Sequence, residues 1–225
     1  MQAEPLVTAA GIQLVGPLLI TPRVFGDARG FFYESWNQRN FNSALEADGQ
    51  SPVAFVQDNH SRSSQGVLRG LHFQKDPHAQ GKLVRCIQGE IFDVAVDCRQ
   101  SSPTFGQWVS ARLSSENHQQ LWVPAGFAHG FLTLSAQAEV LYKTTDFWDR
   151  DSERSLLWSD SDLAIAWPQA TEPLLADKDA AAPTGKGFEE GARTHPVSTR
   201  AGRAGRAHQA ARLDATVATG QAHCA

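Results

Sequence analysis

The feature that most constrains the fold is a succession of short apolar segments between residues 12 and 168. Each is rich in Val, Ile, Phe, Trp and Thr, and Gly, Pro, Asn, Asp or Ser separates it from the next. This spacing is typical of β-strands joined by turns. The only helix that the pattern predicts is short, at Gln38–Ala47. So many strands with so little helix predict a mostly β protein, built as a sandwich or a barrel.

The clearest strand is Glu90–Cys98, where two sets of residues alternate: Phe92, Val94, Val96 and Cys98 against Ile91, Asp93, Ala95 and Asp97. A period of two predicts a strand with one apolar and one mixed face. Because Gln88 and Gly89 form a turn dipeptide, we expect Lys82–Cys98 to be a hairpin. Further strands are predicted at Phe31–Trp36, Val67–Gln74, Gln107–Leu113, Gln120–Val123, Phe131–Leu134, Glu139–Asp146 and Ser155–Trp158.

The composition changes after Pro183. Residues 184–225 consist mostly of Ala, Gly, Arg, Thr and His, and Phe188 is their only aromatic residue. Such a segment buries too little apolar surface to offset the entropy of the chain. We therefore expect one folded domain over residues 1–183 and a disordered tail over 184–225, which could also arise from a frame error in a GC-rich gene.

Charge and composition argue against several classes of protein. Residues 1–185 carry 14 Lys and Arg against 21 Asp and Glu, and this acidic balance argues against a nucleic-acid-binding protein. Apolar runs such as Gly11–Ile20 are interrupted and too short to span a membrane, and no signal peptide is visible. Cys86, Cys98 and Cys224 are too few and too widely spaced for a disulfide framework. We expect a reduced, cytoplasmic protein.

Two segments resemble the motifs of the cupin superfamily, namely Gly66–Gln74 with its continuation to Gly89, and Pro124–His129. Metal-binding cupins place two His, a carboxylate and a later His around one cation. Here Gln74 replaces the second His, and Lys82 stands at the carboxylate position. An ammonium group has no lone pair and repels a divalent ion. We therefore predict neither a metal nor any other cofactor.

A buried His and Lys in a concave barrel favour proton transfer next to a ketone. Histidine is the side chain suited to act as a base near neutral pH, and His72 is the candidate. The enolate that forms needs a positive or donor group at its oxygen, which Lys82 supplies. An epimerase also needs an acid on the opposite face, and Tyr142 is the candidate.

Seven blocks in a fixed order resemble the dTDP-4-dehydrorhamnose 3,5-epimerase family, with similarity from about Val24 to Pro183. The blocks are 24–35, 55–61, 67–74, 80–85, 102–108, 123–131 and 178–183. The resemblance implies a cupin-type antiparallel jelly-roll β-barrel with a few short helices. It also implies a cofactor-independent isomerase that acts on a dTDP-linked 4-keto-6-deoxy sugar by proton removal and return at C3 and C5.

The family's roles carry over to matching positions of this chain. The resemblance implies that His72 is the base and that Asp179 pairs with its ring. Lys82 would hold the C4 oxygen, and Tyr142 would deliver the proton from the far face. Two further residues, Arg69 and His129, would contact phosphate or sugar oxygens, although a structural ion pair is the alternative role for Arg69.

The resemblance also implies a nucleotide site that is shared across a homodimer. Its residues would be Phe25, Arg29, Glu34, Gln57, Asp58 and Asn59. Phe25 and Arg29 would come from the partner subunit on an exchanged N-terminal strand. Trp148 stands where many relatives carry a tyrosine stacked on thymine, and its larger ring retains that ability. Glu153 and Lys178 would be contacts at the rim.

Three alternatives remain open at this point. The first is a relative that acts at a single carbon, or a ketoisomerase on the same type of sugar. The second is a non-catalytic cupin that binds a nucleotide sugar or another carbohydrate. The third is a metal-dependent oxygenase, which the replaced ligands at Gln74 and Lys82 argue against.

Overall fold

The computed structural model describes residues 1–168 and 172–185. Within these residues the chain forms thirteen strands and two helices. The strands are β1 Gln2–Val7, β2 Gln13–Thr21, β3 Phe25–Asp27, β4 Gly30–Phe32, β5 Gln57–Ser64, β6 Leu68–Gln74, β7 Lys82–Gln88, β8 Glu90–Asp97, β9 Trp108–Ser114, β10 Gln120–Val123, β11 Phe127–Thr133, β12 Gln137–Thr144 and β13 Glu153–Ser155. The helices are α1 Gln38–Ala47 and α2 Asp177–Ala180.

The strands form two large antiparallel sheets and one small hairpin. The six-stranded sheet has the order β1-β2-β10-β7-β12-β5, and the five-stranded sheet has the order β13-β6-β11-β8-β9. The hairpin pairs β3 with β4. Apart from the pairs β1–β2 and β8–β9, neighbouring strands of the two large sheets are not consecutive in sequence, as in β10 between β2 and β7, and this is the connectivity of a jelly roll.

The two large sheets pack face to face around one apolar core. Side chains of β7 and β12 in one sheet, including Val84 and Val140, meet those of β8 and β9 in the other, including Ile91 and Leu113. All four are at most 1% exposed. Alternation along each strand supplies one apolar face per sheet, so the sheets must be stacked to bury both. The predicted mostly β jelly-roll fold is confirmed.

The predicted hairpin over Lys82–Cys98 is wrong. Both strands exist, but β7 belongs to the six-stranded sheet and β8 to the five-stranded sheet, so they do not pair. The chain crosses between sheets at Gly89, which has a positive φ of 74°. A side chain at Gly89 would collide with the carbonyl oxygen of Gln137. The chain therefore turns at Gly89 as the dipeptide predicts, but a turn does not specify which strands pair.

Helix α1 confirms the predicted Gln38–Ala47. Asn37 caps its first turn, because its side-chain oxygen accepts the backbone N–H of Asn40 at 3.1 Å. The buried face presents Phe41 and Leu45 to Trp122 and its neighbours on the six-stranded sheet. This helix covers the outer side of that sheet near β10.

Other predictions differ from the structure at element boundaries and edges. The predicted strand Phe31–Trp36 is wrong beyond Phe32, where β4 ends. Strand β5 was not predicted, because its sequence is polar throughout and carries no apolar alternation; it pairs only with β12, at a sheet edge. The backbone N–H of Leu157 donates to the carbonyl of Pro183 at 2.8 Å, which ties the end of the predicted domain to its body. Most of the predicted tail lies outside the described residues.

Candidate active site

One cavity of about 500 Å³ brings together nine of the residues predicted for the site. They come from both sheets and from α2: Arg69 and His72 on β6, Lys82 on β7, His129 on β11, Tyr142 on β12, Trp148 after it, Glu153 on β13, and Lys178 and Asp179 on α2. Arg69 and His72 are three positions apart on β6, and the pairing of β6 with β11 has a register shift between them, where regular alternation is interrupted.

The closest pair in the cavity is His72 with Asp179. The ring Nε2 of His72 lies 2.6 Å from Oδ1 of Asp179, and Oδ2 accepts the backbone N–H of Gly70 at 3.3 Å. Asp179 is only 2% exposed. Burial raises the pKa of this carboxyl, but the hydrogen bonds from His72 and Gly70 outweigh burial and hold the pKa below its ordinary value. An ionised Asp179 keeps the proton on Nε2 and leaves Nδ1 as the basic atom.

Lys82 lines the cavity from β7, in the sheet that does not contain His72, and is 8% exposed. Its Nζ donates to the carbonyl oxygen of His72 at 3.0 Å. Burial lowers the pKa of this ammonium group to about 8, although Glu153 and Asp93 partly oppose the shift. A cation of this kind, held in place and poorly solvated, interacts strongly with a developing negative charge.

Tyr142 lines the same cavity from β12, in the sheet opposite His72. Burial raises the pKa of its phenol, and the charge of Arg69 opposes that shift only in part. The phenol therefore keeps its proton at neutral pH. A neutral phenol facing a base from the other sheet can donate a proton to a carbon bound between them.

A second His–Asp pair lies at the cavity wall, and no sequence motif marks its acid, Asp93. The Nε2 of His129 lies 2.7 Å from Oδ1 of Asp93, which is 0% exposed, and Oδ2 of Asp93 has no hydrogen-bond partner in the described structure. His129 stands directly opposite His72 in the β11–β6 ladder. The signal that could have revealed Asp93 is its place among Ile91 and Ala95 on the inward face of β8.

Arg69 is held by neutral groups. Its Nε donates to Oγ of Ser63 at 2.9 Å and its Nη2 to the carbonyl oxygen of Arg62 at 3.2 Å. Among the described residues it forms no ion pair within 4.0 Å. The guanidinium charge is therefore not neutralised by a neighbouring carboxylate, and it lines the cavity with Lys82 as a second cation.

Two rim residues pair with each other, and a third is exposed. Nζ of Lys178 lies 3.3 Å from Oε1 of Glu153. Trp148 is 56% exposed and lines both this cavity and a smaller one of about 140 Å³. The smaller cavity shares His72, Lys82 and Tyr142 with the larger, so the two form one concave region.

The residues predicted to bind the nucleotide fall into two groups. Gln57 and Asn59 line the smaller cavity and are hydrogen-bonded to each other at 2.9 Å. Asp58 points elsewhere and pairs with Lys143 at 2.8 Å. Phe25 and Arg29, on the exposed β3–β4 hairpin, and Glu34, bonded to Asn37 and Asn40, do not line either cavity within the single chain.

The side chains at Gln74 and Lys82, which match ligand positions of the cupin motif, do not form a ligand set. In the described part of the chain, no three His, Cys, Asp or Glu side chains are grouped so as to hold a metal ion. The amide of Gln74 is a poor ligand for a divalent cation, and the ammonium of Lys82 repels one.

No helix among the described residues is long and apolar enough to cross a membrane.

Sequence comparisons identify the relatives of this chain. A sequence model described as dTDP-4-dehydrorhamnose 3,5-epimerase matches residues 11–186. A dTDP-4-dehydrorhamnose 3,5-epimerase from Pseudomonas aeruginosa is 61% identical over 173 residues, which cover 77% of this chain and 91% of the relative. A protein of the same name from Escherichia coli is 57% identical over 162 residues, covering 72% and 85% of the two chains.

Two similar solved structures are also epimerases that were crystallised with dTDP-linked sugars. A dTDP-6-deoxy-D-glucose-3,5-epimerase from Legionella pneumophila, in complex with dTDP-4-keto-L-rhamnose, is 48% identical with a TM-score of 0.73, covering 81% of this chain and 93% of its own. A 3'-monoepimerase from Streptomyces bikiniensis, in complex with dTDP-quinovose, is 33% identical with a TM-score of 0.74, covering 83% and 89%. By its sequence, its fold and the arrangement of its cavity, the chain belongs to the dTDP-4-dehydrorhamnose 3,5-epimerase family.

Proposed function

We propose that this protein is a dTDP-4-dehydrorhamnose 3,5-epimerase. It would convert dTDP-4-dehydro-6-deoxy-D-glucose to dTDP-4-dehydro-L-rhamnose, a step of dTDP-L-rhamnose formation. The observation that carries the proposal is the 2.6 Å contact between His72 and Asp179 in a cavity that Lys82 and Tyr142 also line. Family membership supplies the substrate class, and the cavity supplies a base, an enolate stabiliser and an acid.

The first half of each epimerisation is proton removal. Nδ1 of His72 takes the proton from C3, the C–H electron pair becomes the C3–C4 double bond, and the C4 oxygen becomes an enolate. Asp179 stabilises the imidazolium that results, because an ionised carboxylate lies on its other nitrogen. Lys82 stabilises the enolate oxygen by charge and hydrogen bonding.

The second half is proton return to the opposite face. The enolate electrons form a new C–H bond with the phenolic proton of Tyr142, and the C4 ketone is restored. The His72 imidazolium then loses its proton and the Tyr142 phenolate gains one, either directly or by exchange with solvent, and both groups return to their starting states. The same cycle at C5 completes the reaction without any cofactor.

The nucleotide would bind at the rim. Trp148 would stack on the thymine, and Gln57, Asn59 and Arg69 would contact the nucleotide or the sugar. Lys178 and Glu153 would lie beside them, and His129 would contact a sugar or phosphate oxygen. In a cytoplasmic homodimer, Phe25 and Arg29 of the partner subunit, with Glu34 and Asp58, would complete the site. Support for the dimer comes from the exposure of the hairpin that carries Phe25 and Arg29.

The same cavity suits a single-carbon epimerase, and the 3'-monoepimerase relative keeps that candidate open. Incubation with dTDP-4-keto-6-deoxyglucose in deuterated water separates the two. Deuterium at both C3 and C5 with inversion at both carbons supports the 3,5-epimerase. Label at one carbon alone identifies a single-carbon enzyme, a shift of the ketone identifies a ketoisomerase, and no reaction identifies a binding protein.

A further inference from the structure

The side chain of Gln74 makes three hydrogen bonds to backbone groups, and two of them are to the residues on either side of Trp148. Gln74 ends β6 and is 3% exposed. Its Nε2 donates to the carbonyl oxygens of His78 at 2.6 Å and Phe147 at 3.1 Å, and its Oε1 accepts the N–H of Asp149 at 2.8 Å. Two of these bonds therefore flank Trp148, one on each side.

The backbone of Trp148, between Phe147 and Asp149, is held by a residue of a different strand. Oε1 of Gln57, on β5, accepts the backbone N–H of Trp148 at 3.1 Å. Two glutamines thus fix the main chain of three consecutive residues, Phe147, Trp148 and Asp149. The Trp148 indole itself is more than half exposed, so packing restrains it less than a core ring. Its direction depends mainly on the backbone that carries it.

The chemistry of an amide explains why a glutamine suits this position. Bracketing one residue requires a donor for the carbonyl before it and an acceptor for the N–H after it. A primary amide offers both at its two ends, whereas a carboxylate only accepts. Because Gln74 is buried, each of these bonds would leave an unpaired polar group if the amide were removed.

We propose that Gln74 is a positioning residue that sets the nucleobase wall of the site by fixing Trp148. The proposal rests on the proposed function, because it takes the thymine of a dTDP-sugar as the group that Trp148 stacks on. The position that has lost its role as a metal ligand would thereby have gained a role in substrate binding. Gln74 also lines the smaller cavity beside Trp148, and we assign its effect to the position of Trp148 rather than to contact with the reacting carbons.

The test is a double-substitution cycle on dTDP affinity, measured by titration calorimetry with the full chain. Gln74→Met keeps the length of the side chain and removes the amide. We expect it to weaken dTDP binding about tenfold, within the range that base stacking on an aromatic ring contributes. In a Trp148→Ala background the same substitution should change affinity by less than about twofold, because no indole remains to be positioned.

The controls separate positioning from loss of stability. Gln50 also makes three side-chain hydrogen bonds, to Gly16, Asp48 and Trp122, and lines none of the cavities that contain Trp148. Gln50→Met should leave dTDP affinity unchanged. If Gln74→Met does not fold, Gln74→Glu carries the test, because it keeps the acceptor for Asp149 and loses the donors. A tenfold loss that persists in the Trp148→Ala background, or that Gln50→Met reproduces, overturns the proposal.

Steady-state kinetics and deuterium incorporation test the role of Gln74 separately from the proposed epimerase reaction. Gln74→Met should raise KM about tenfold and keep kcat within about twofold, because the proton-transfer groups are untouched. Wild-type protein that binds dTDP but incorporates no deuterium would refute the reaction alone. Wild-type turnover together with additive losses in the cycle would refute the role of Gln74 alone. A chain that did not bind dTDP would refute both.

Discussion

Two parts of the molecule differ in how completely a single chain builds them. Around His72, each group has a partner inside the chain: Asp179 is 2% exposed and bonded to the ring, and Lys82 is 8% exposed and bonded to the strand of His72. On the β3–β4 hairpin, Phe31 and Phe32 are 63% and 72% exposed, and the ion pair that Arg29 forms within the described part of the chain is with its neighbour Asp27.

The buried, paired groups around His72 suit the reaction, whereas the exposed hairpin suits substrate binding. Proton transfer needs groups whose geometry and pKa are fixed in advance, and burial within one fold supplies that. Exposed aromatic residues on a short hairpin are typical of a surface that another chain covers. We therefore expect that the proton-transfer groups all lie in one subunit and that the nucleotide-binding residues come from two.

Removal of the base should have the largest effect. We expect His72→Ala to lower kcat by about 10⁴, the upper range of general acid–base catalysis, because no other imidazole in the cavity is paired with Asp179. The dTDP affinity should stay within about twofold, measured by calorimetry, because the nucleotide contacts lie elsewhere. Turnover within tenfold of wild type would remove His72 from the mechanism.

Removal of the buried cation should have the next largest effect. Lys82→Met should lower kcat by about 10²–10³, as expected for loss of one oxyanion-stabilising group. In the wild type the ammonium is present below the pKa of about 8 and is lost as the pH rises through that value, so kcat/KM should fall above about pH 8. Lys82→Met should lack this falling limb; a limb unchanged in the variant would assign it to another group.

Disruption of the hairpin should have the smallest effect on a pure variant and the most informative effect in mixtures. Arg29→Ala should raise KM about tenfold, measured at steady state, with kcat retained, because it removes one charge-assisted contact. Subunit exchange with His72→Ala should then restore full-affinity activity in about one quarter of the sites, since each mixed dimer has one intact site. Strictly additive activity at low substrate would place Arg29 in the same subunit as His72.

The fold could be predicted from the sequence wherever alternation or capping acts locally. Gln38–Ala47 and Gln120–Val123 have the bounds that the sequence predicted. The pairing of β7 and β8 could not be predicted, because a turn at Gly89 fits a hairpin and a crossover equally well. Strand β5 could not be predicted, because an edge strand with two polar faces has no hydrophobic period.

The site was predictable to the extent that motifs name its residues. His72, Lys82 and Tyr142 could be chosen from residue chemistry, whereas Asp179 required the family resemblance, because it is 107 residues from His72 and meets it only through the packing of α2 on β6. Asp93 carries no motif, and its pairing with His129 depends on which face of β8 points inward. Tertiary packing, which no local pattern encodes, decides such contacts.

In the proposed reaction, His72 removes the proton and Tyr142 returns one from the opposite face. The direct measurement is deuterium incorporation by Tyr142→Phe in deuterated water, followed by mass spectrometry and NMR of the sugar. We expect exchange at C3 without inversion, because the base still takes a proton and gives back a deuteron on the same face. Inversion at wild-type rate in this variant, or inversion by His72→Ala, would contradict it.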